Sequence, residues 1–369
     1  MYRDTLVCTV GTSLLGNLDR SQDAQLQKST KDNNPTMAAK RLASFDLSDR
    51  ILGAEINSTY SIWNQKYLSE KKNLYLLRSD TDSGDFVSRI LEQYFQAGPI
   101  SFEQIKRIKL QGLTDTDPER FRREGLRSLV RHVAEIVNRT GNNRIVINAT
   151  GGYKAQISFA GMIGQALEIP VCYMFEGFNK VIQLPPQPIS LDFTFWMDHV
   201  DRFFALSQDA LYEDPTQDDP RFGSLVECED VEGTPFSVLS PVGQLFHESF
   251  RYRFALQRQN MLPAKSTIPL AEKVIKYEDK NEGKHPGLAS YLEGILKYPY
   301  VKRIYTHYYN PNLPETNAFK PSIKGGISQV MGIFSDGKAT SKFDVVTTAQ
   351  SKGERDAVLA DLHEYISAQ

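Results

Sequence analysis

The stretch that decides the fold is RIVINATGGYK, residues 144–154. Its first part, Arg144–Asn148, is a short apolar run rich in isoleucine and valine, which favours a buried strand. Gly151 and Gly152 follow at once and precede a segment with helical spacing. Small residues at such a turn let the backbone approach a phosphate, and the N-terminus of the next helix adds positive potential. The stretch therefore predicts an α/β fold with an anion-binding loop.

A second loop of the same kind lies near the beginning of the chain. Gly11-Thr12-Ser13 directly follows the apolar run Thr5–Val10. In an open parallel sheet, loops at the carboxyl ends of strands form the binding crevice. Lys154 lies in the first helical turn after the Gly151-Gly152 loop, where the helix dipole alone disfavours a cation. A bound anion nearby would stabilise its charge. Two such loops predict a phosphorylated ligand, although two tight turns that need glycine only for backbone geometry remain the alternative.

Apolar runs alternate with helical patterns through the whole N-terminal half. This alternation predicts a Rossmann-like, doubly wound and largely parallel sheet with both faces covered by helices. Neither loop has a Walker or GxGxxG spacing, so the two common nucleotide-binding fingerprints are excluded. The further predicted strands are Asn73–Leu77, Ile169–Phe175 and Lys180–Leu184, and the predicted helices include Phe86–Phe95 and Phe121–Asn138.

Composition limits the class of protein. The chain has 369 residues, of which 40% are hydrophobic and 24% charged, with a net charge of −2. This length favours two or three domains, and the charge balance excludes a globally basic nucleic-acid coat. The three cysteines have no paired spacing, and we find no signal-peptide pattern and no long apolar stretch. We therefore expect a cytoplasmic protein without a membrane partner and without a metal or other cofactor.

Changes in pattern divide the chain into three predicted domains. The first, 1–188, ends at the stiff segment LPPQP. The second, 189–258, carries helices that flank a short hairpin, which is typical of a winged-helix-like linker module. The third, 259–369, reads as a helix, three strands and a closing amphipathic helix, a small α+β domain.

Three segments of the first domain resemble the ligand loops of CARF domains, the Rossmann-like sensors of cyclic oligoadenylate in type III CRISPR immunity. They are GTSLLGNL at 11–18, RSDTDSG at 78–84 and NATGGYKAQ at 148–156. The resemblance covers about 1–188 and continues weakly into LSPVGQL at 239–245. It implies a homodimer that binds one symmetric cyclic ligand, most often cyclic tetra-adenylate, across its two-fold axis.

The resemblance also implies which residues contact the ligand. Ser13 and Lys154 match positions at which some CARF domains slowly cut their ligand, so the family implies a possible ring nuclease activity. The expected ligand-binding residues are Gly11, Thr12, Ser13, Asn17, Thr81, Thr150, Gly151, Gly152 and Lys154.

The third domain resembles RelE-type mRNA interferases in its order of elements and its length. Those enzymes cleave messenger RNA on the ribosome by metal-free attack of the 2′-OH on the adjacent phosphate, which implies ribosome and mRNA as partners. Between residues 301 and 342, six lysines and arginines stand against two acidic residues, the charge that RNA binding requires. Interleaved tyrosines offer stacking surfaces, and one histidine can transfer a proton. The expected catalytic residues are Arg303, His307, Lys320, Lys324, Lys352 and Arg355.

Other output activities remain open on the sequence alone. Arg127–His132 has the spacing of a HEPN ribonuclease motif but lies on a helix of the first domain, so we interpret it as structural. Asp344 and Lys352 give a superficial match to a metal-dependent PD-(D/E)xK nuclease acting on free RNA or DNA. A cyclic-oligoadenylate-responsive winged-helix transcription regulator is the third alternative, although its expected wing, 225–238, is acidic and suits DNA poorly.

Overall fold

The structure is a computed structural model. It describes residues 2–184, 191–208, 215–231, 234–322 and 326–367. For residues 217, 229–231 and 234–235 it describes the backbone only. The chain divides into two compact units, and the segment 189–258 is shared between them. The units are Met1–Leu191 with Ser240–Tyr252, and Asp192–Leu239 with Arg253–Gln369.

The strands fall into one group in each unit and one separate hairpin. Those of the first unit are β1 Thr5–Thr9, β2 Asn73–Arg78, β3 Gln104–Lys109, β4 Ile145–Asn148, β5 Val171–Tyr173 and β6 Ile182–Gln183. The hairpin consists of β7 Val226–Val231 and β8 Thr234–Leu239. The remaining strands are β9 Val274–Tyr277, β10 Val301–Asn310, β11 Ala318–Pro321, β12 Gln329–Ser335 and β13 Thr340–Thr347.

The helices follow the same division. In the first unit they are α1 Ser13–Arg20, α2 Ala24–Lys31, α3 Pro35–Leu42, α4 Gly53–Asn64, α5 Asp82–Ala97, α6 Pro118–Arg120, α7 Leu126–Thr140 and α8 Lys154–Ala166. A π-helical segment, Phe121–Gly125, leads into α7. The later helices are α9 Phe193–Asp198, α10 Val200–Ser207, α11 Pro241–Met261, α12 Leu288–Leu296 and α13 Lys352–Ser367. Among the described residues, no helix is long and apolar enough to cross a membrane.

The first unit contains the predicted Rossmann-like sheet. Its strand order is β3-β2-β1-β4-β5-β6, and every described pairing is parallel except that of β5 with β6. Leu6 and Cys8 of β1 point into one core and Val7 into another, because successive side chains of a strand face opposite ways. The first core packs against α1–α5 and the second against α7 and α8. The sheet is therefore covered on both faces, which confirms the doubly wound α/β prediction.

The edge strand β3 was not predicted. Its sequence QIKRIK has three charged residues and two isoleucines, and its side chains are exposed or half-buried. Charged residues on an edge strand discourage pairing with other chains. A strand of this kind lacks the apolar run by which the central strands were recognised.

The second unit contains a mixed sheet of five described strands rather than three. Its order is β11-β12-β13-β10-β9, with β9 parallel to β10 and the other pairs antiparallel. One face packs against helices, as Tyr291 of α12 and His363 of α13 show by their contacts with Phe334 and Phe319. The two missed strands, β9 and β11, have only four residues each. The sheet thus has one covered face and one face with exposed and half-buried polar residues.

Candidate functional site

The two predicted loops lie side by side at the carboxyl edge of the first sheet. Strands β1 and β4 are neighbours at the centre of the sheet. From this pair, β2 and β3 extend the sheet to one side and β5 and β6 extend it to the other. Ligands of open α/β sheets bind at this switch point. The loops are in close contact, because a Cβ on Gly11 would come within 2.6 Å of the backbone nitrogen of Gly152. Gly152 also has a φ of +101°, a conformation that favours glycine.

Glu55 of helix α4 lies beneath both loops, and no sequence pattern points to it. Its side chain is buried, and its Oε1 accepts a hydrogen bond of 2.7 Å from the Gly11 backbone N–H. A Cβ on Gly151 would overlap the same oxygen, so the carboxyl group touches the second loop as well. Its Oε2 is buried without a hydrogen-bond partner among the described residues. Burial raises the pKa of the Glu55 carboxyl, which favours its neutral form.

A buried polar layer fixes the second loop to the sheet. The Thr9 hydroxyl donates to the carbonyl of Gly151 at 2.5 Å. The Thr150 hydroxyl donates to Asn148 Oδ1 at 2.8 Å and accepts from the Met174 N–H at 3.1 Å. Thr150, expected to contact the ligand, therefore has its side chain engaged within the protein.

A cavity of about 990 Å³ opens beside the first loop. Three of the expected ligand-binding residues, Thr12, Ser13 and Asn17, line it. Helix α4 and the segment 174–182 form other parts of its wall. Ser13 is the first residue of helix α1, so the helix N-terminus also lies at this cavity. The arrangement suits a large anionic ligand.

Thr81 lines a different cavity, of about 580 Å³. Its hydroxyl caps helix α5 by accepting the Gly84 N–H at 3.0 Å. Asp80, Asp82 and Asp85 line the same cavity together with basic residues. The expected residue Thr81 thus has a structural role as a helix cap, and its surroundings are partly acidic.

Lys154 is the first residue of α8 and is exposed. Gly151 and Gly152 form the turn before it. The structure therefore brings Gly11, Gly151 and Gly152 together and leaves the Lys154 side chain at the surface of the same edge.

In the second unit, register places chemistry-bearing residues in one row across the open face. The row runs over all five strands, and paired residues in a sheet point to the same side. Its members are Lys320, Met331, Asp344, Tyr305 and Lys276.

His307 lies beside this row, where a bulge interrupts the pairing between Thr306 and Tyr308. Its Nε2 is 3.6 Å from Asp344 Oδ2, and the imidazole is 37% exposed. Asp344 Oδ1 is buried and has no hydrogen-bond partner among the described residues. A bulge re-aims a side chain, and here it leaves an accessible imidazole next to a carboxylate.

Arg303 and Tyr305 precede His307 on the same strand. Arg303 is exposed, and Tyr305 is half-buried. Burial and the Asp344 carboxylate raise the pKa of the Tyr305 phenol, so it remains a neutral ring available for stacking. The open face therefore combines guanidinium, ammonium, imidazole and aromatic groups.

Two expected catalytic residues belong to helix α13 instead of the sheet. Lys352 Nζ donates to Asp198 of α9 at 2.6 Å. The Arg355 guanidinium is largely buried and donates to the buried Asp356 at 2.8 and 3.0 Å. Both cations are thus held by carboxylates. Lys324 lies outside the described residues.

The described residues hold no cluster of three or more His, Cys, Asp or Glu side chains that could bind a metal ion. Of the motif Arg127–His132, Arg127 is buried in α7 and His132 pairs with Glu135 at 3.5 Å. These contacts agree with a structural interpretation of that motif.

The fold and the switch-point loops define the class as a Rossmann-like α/β protein joined to a mixed-sheet unit. The sequence profile of a family described as CRISPR-associated protein (Cas_APE2256) matches residues 50–187. This segment is thus similar to a CRISPR-associated family over most of the first sheet.

Among solved structures, the chain resembles Can2 from Sulfobacillus thermosulfidooxidans in complex with cyclic tetra-adenylate. The identity is 15%, the TM-score 0.24, and the alignment covers 70% of this chain and 68% of that one. No curated protein sequence matches the chain.

Proposed function

We propose that this chain is a cyclic-oligoadenylate-activated endoribonuclease of type III CRISPR defence. Cyclic tetra-adenylate binds at the switch point of the first unit, and the open sheet face of the second unit cleaves messenger RNA on the ribosome. The observation that carries the proposal is the open face itself, with His307 and Arg303 on β10 and Lys320 on the edge strand β11 of the same sheet. Support for the sensor comes from the paired loops, the cavity beside them and the similarity of 50–187 to a CRISPR-associated family.

The sensor binds its ligand through donors at one sheet edge. Thr12 and Ser13 offer hydroxyl and backbone N–H donors at the N-terminus of α1, where an anion is favoured. A cyclic ligand with repeated phosphates is matched best by two copies of the same loops, so the active form is a homodimer. Ser13 and Lys154 are the candidates for slow cleavage of the ligand.

The effector chemistry is attack of an RNA 2′-OH on the adjacent phosphorus. The proton of the 2′-OH passes to water, the bond to the leaving 5′ oxygen breaks, and a 2′,3′-cyclic phosphate forms. Arg303 and Lys320 stabilise the added charge on the phosphate, and His307 in its protonated form donates a proton to the leaving oxygen. Asp344 Oδ2 lies 3.6 Å from His307 Nε2, where it can orient the imidazole. Lys324, Lys352 and Arg355 are further candidate cations, the last two in contact with the carboxylates of Asp198 and Asp356.

Binding of the ligand shifts the protein toward a dimer state in which the effector faces engage the ribosome. A ligand can do this only by binding that state more tightly than the inactive one. Cleavage therefore depends on the activator, whereas the effector residues themselves are present in both states.

The test is cleavage of an mRNA, free and in a programmed ribosome, in EDTA, with and without cyclic tetra-adenylate. We expect cleavage only on the ribosome, only with activator and despite the chelator. Cleavage of free nucleic acid that EDTA abolishes would instead identify a metal-dependent nuclease. Absence of cleavage in every condition, with retained ligand binding, would favour the winged-helix regulator.

A further inference from the structure

One wall of the large cavity in the first unit carries the two most exposed phenylalanines of the described chain. Phe175 is 52% exposed and Phe178 53%. Both follow strand β5, at the same sheet edge as the phosphate loops, and both line the cavity that Thr12 and Ser13 line. Exposed phenylalanines cost solvation free energy, so a pair of them in a cavity that also carries charged side chains points to an occupant.

The two rings are held at an angle to each other. Their centroids are 5.4 Å apart and the planes meet at 67°. A tight turn fixes them, because the Phe178 N–H donates to the Phe175 carbonyl at 2.8 Å. Gly177, between them, lies under the Phe175 ring, where a Cβ would come within 3.4 Å of it. The pair is therefore arranged in advance, with ring surface left open to the cavity.

Charge and hydrogen-bonding groups around the pair favour a nucleotide over a purely apolar ligand. Arg20, Arg50 and Lys180 line the cavity against one carboxylate, Glu176. Asn179, beside the aromatic pair, offers an amide of the kind that pairs with the edge of adenine. The cavity thus has a cationic side for phosphates and an aromatic side for bases.

We propose that Phe175 and Phe178 form the base-recognition site of the sensor and stack on adenine rings of the cyclic oligoadenylate. This proposal rests on the proposed function. The phosphates then face the Thr12–Ser13 loop while the bases extend toward segment 174–182. Every base has a π-face, so stacking supplies affinity, and the amide of Asn179 adds preference for adenine.

The test is titration calorimetry of cyclic tetra-adenylate with the full chain and with Phe175→Leu and Phe178→Leu. Leucine keeps the apolar character but removes the ring. We expect each variant to weaken binding by about 5- to 150-fold, the usual range for loss of one base–aromatic stack. Phe→Tyr at either position is expected to bind within about twofold of the parent. Met162→Ala, which removes an exposed apolar side chain of α8 outside the lining of this cavity, is the control and is expected to have little effect.

Sedimentation of the same variants measures their oligomeric state. It distinguishes a base-stacking role of the aromatic pair from the alternative that a second copy of this chain covers it. Leucine variants that bind the ligand as tightly as the parent would overturn the proposal. Leucine variants that bind weakly only because they have become monomers would assign the pair to a subunit interface and overturn it as well. If the parent chain itself does not bind cyclic tetra-adenylate, the proposed function fails first. That result is distinguishable, because the parent titration is then flat.

Discussion

Glu55→Ala removes a buried group that contacts both phosphate loops, and its cost can be worked out from the contacts. The substitution leaves the half-buried Gly11 N–H without its 2.7 Å acceptor and empties the buried site of the Glu55 side chain. An unsatisfied buried donor costs about 1–3 kcal/mol. We therefore expect the free energy of unfolding of the first unit to fall by about that amount. Glu55→Gln keeps the acceptor and the shape, so it is expected to retain the stability of the parent at low pH.

The pH dependence follows from the raised pKa of Glu55. In the unfolded chain the pKa of this carboxyl is about 4.3, whereas burial in the folded chain raises it. The native state therefore binds more protons than the unfolded state between the two values, and stability falls as pH rises through that window. Because glutamine does not titrate, Glu55→Gln is expected to gain stability relative to the parent as pH rises above about 4.3.

The assay uses tryptophan fluorescence during urea unfolding. The chain has two tryptophans, Trp63 on α4 and Trp196 in the second unit, so a Trp196→Phe background reports the first unit alone. Glu135→Ala, at a 54% exposed side chain of α7, is the control and is expected to cost about 0.5 kcal/mol or less. A stable Glu55→Ala variant would refute the reasoning. So would a Glu55→Gln variant as unstable as alanine at both pH 5 and pH 8, because it would show that a charged carboxylate is needed.

Three further perturbations test other parts of the account. Asp344→Asn is expected to slow mRNA cleavage by about tenfold or more while sparing ligand affinity, because the His307 imidazole loses the carboxylate that orients it. An unchanged rate in single-turnover assays would contradict this role. Thr150→Val is expected to lower the free energy of unfolding, measured by urea titration, by about 1–3 kcal/mol, because the hydroxyl bonds Asn148 and Met174. Weaker ligand binding at unchanged stability would instead identify Thr150 as a ligand contact. Gly332→Ala is expected to cost about 1–3 kcal/mol in the second unit, because the added Cβ would overlap the Phe343 ring; a thermal midpoint equal to the parent's would show that the ring can move.

The central strands and their loops could be predicted because local signals and tertiary context agree. The run Thr5–Val10 is apolar apart from its two threonines, and its observed strand, Thr5–Thr9, is wholly buried in a sheet covered on both faces. The loop glycines were found because close approach and positive φ leave few other residue types possible. The charged edge strand β3 and the four-residue strands β9 and β11 carry too few apolar residues to be recognised.

The site residues that sequence reasoning missed act through tertiary contact. Glu55 lies 44 residues from Gly11 in the chain, and one buried acid on a helix has no sequence pattern. Phe175 ends the predicted strand Ile169–Phe175 and so reads as core, and Phe178 follows in a short polar stretch, but both rings are exposed. A signal was available for Asp344, which was considered only as a metal ligand. Its pairing with His307 depends on strand register, which follows from the fold and not from local spacing.

The measurement that tests the central claim most directly is the chemical identity of the RNA ends after cleavage. Ribosome-bound mRNA would be incubated in EDTA with and without cyclic tetra-adenylate, and the fragments analysed by mass spectrometry. The account predicts 2′,3′-cyclic phosphate and 5′-hydroxyl ends that form only with the activator and are lost in His307→Ala. Fragments with 3′-hydroxyl and 5′-phosphate ends, or cyclic phosphate ends formed equally without activator, would contradict it.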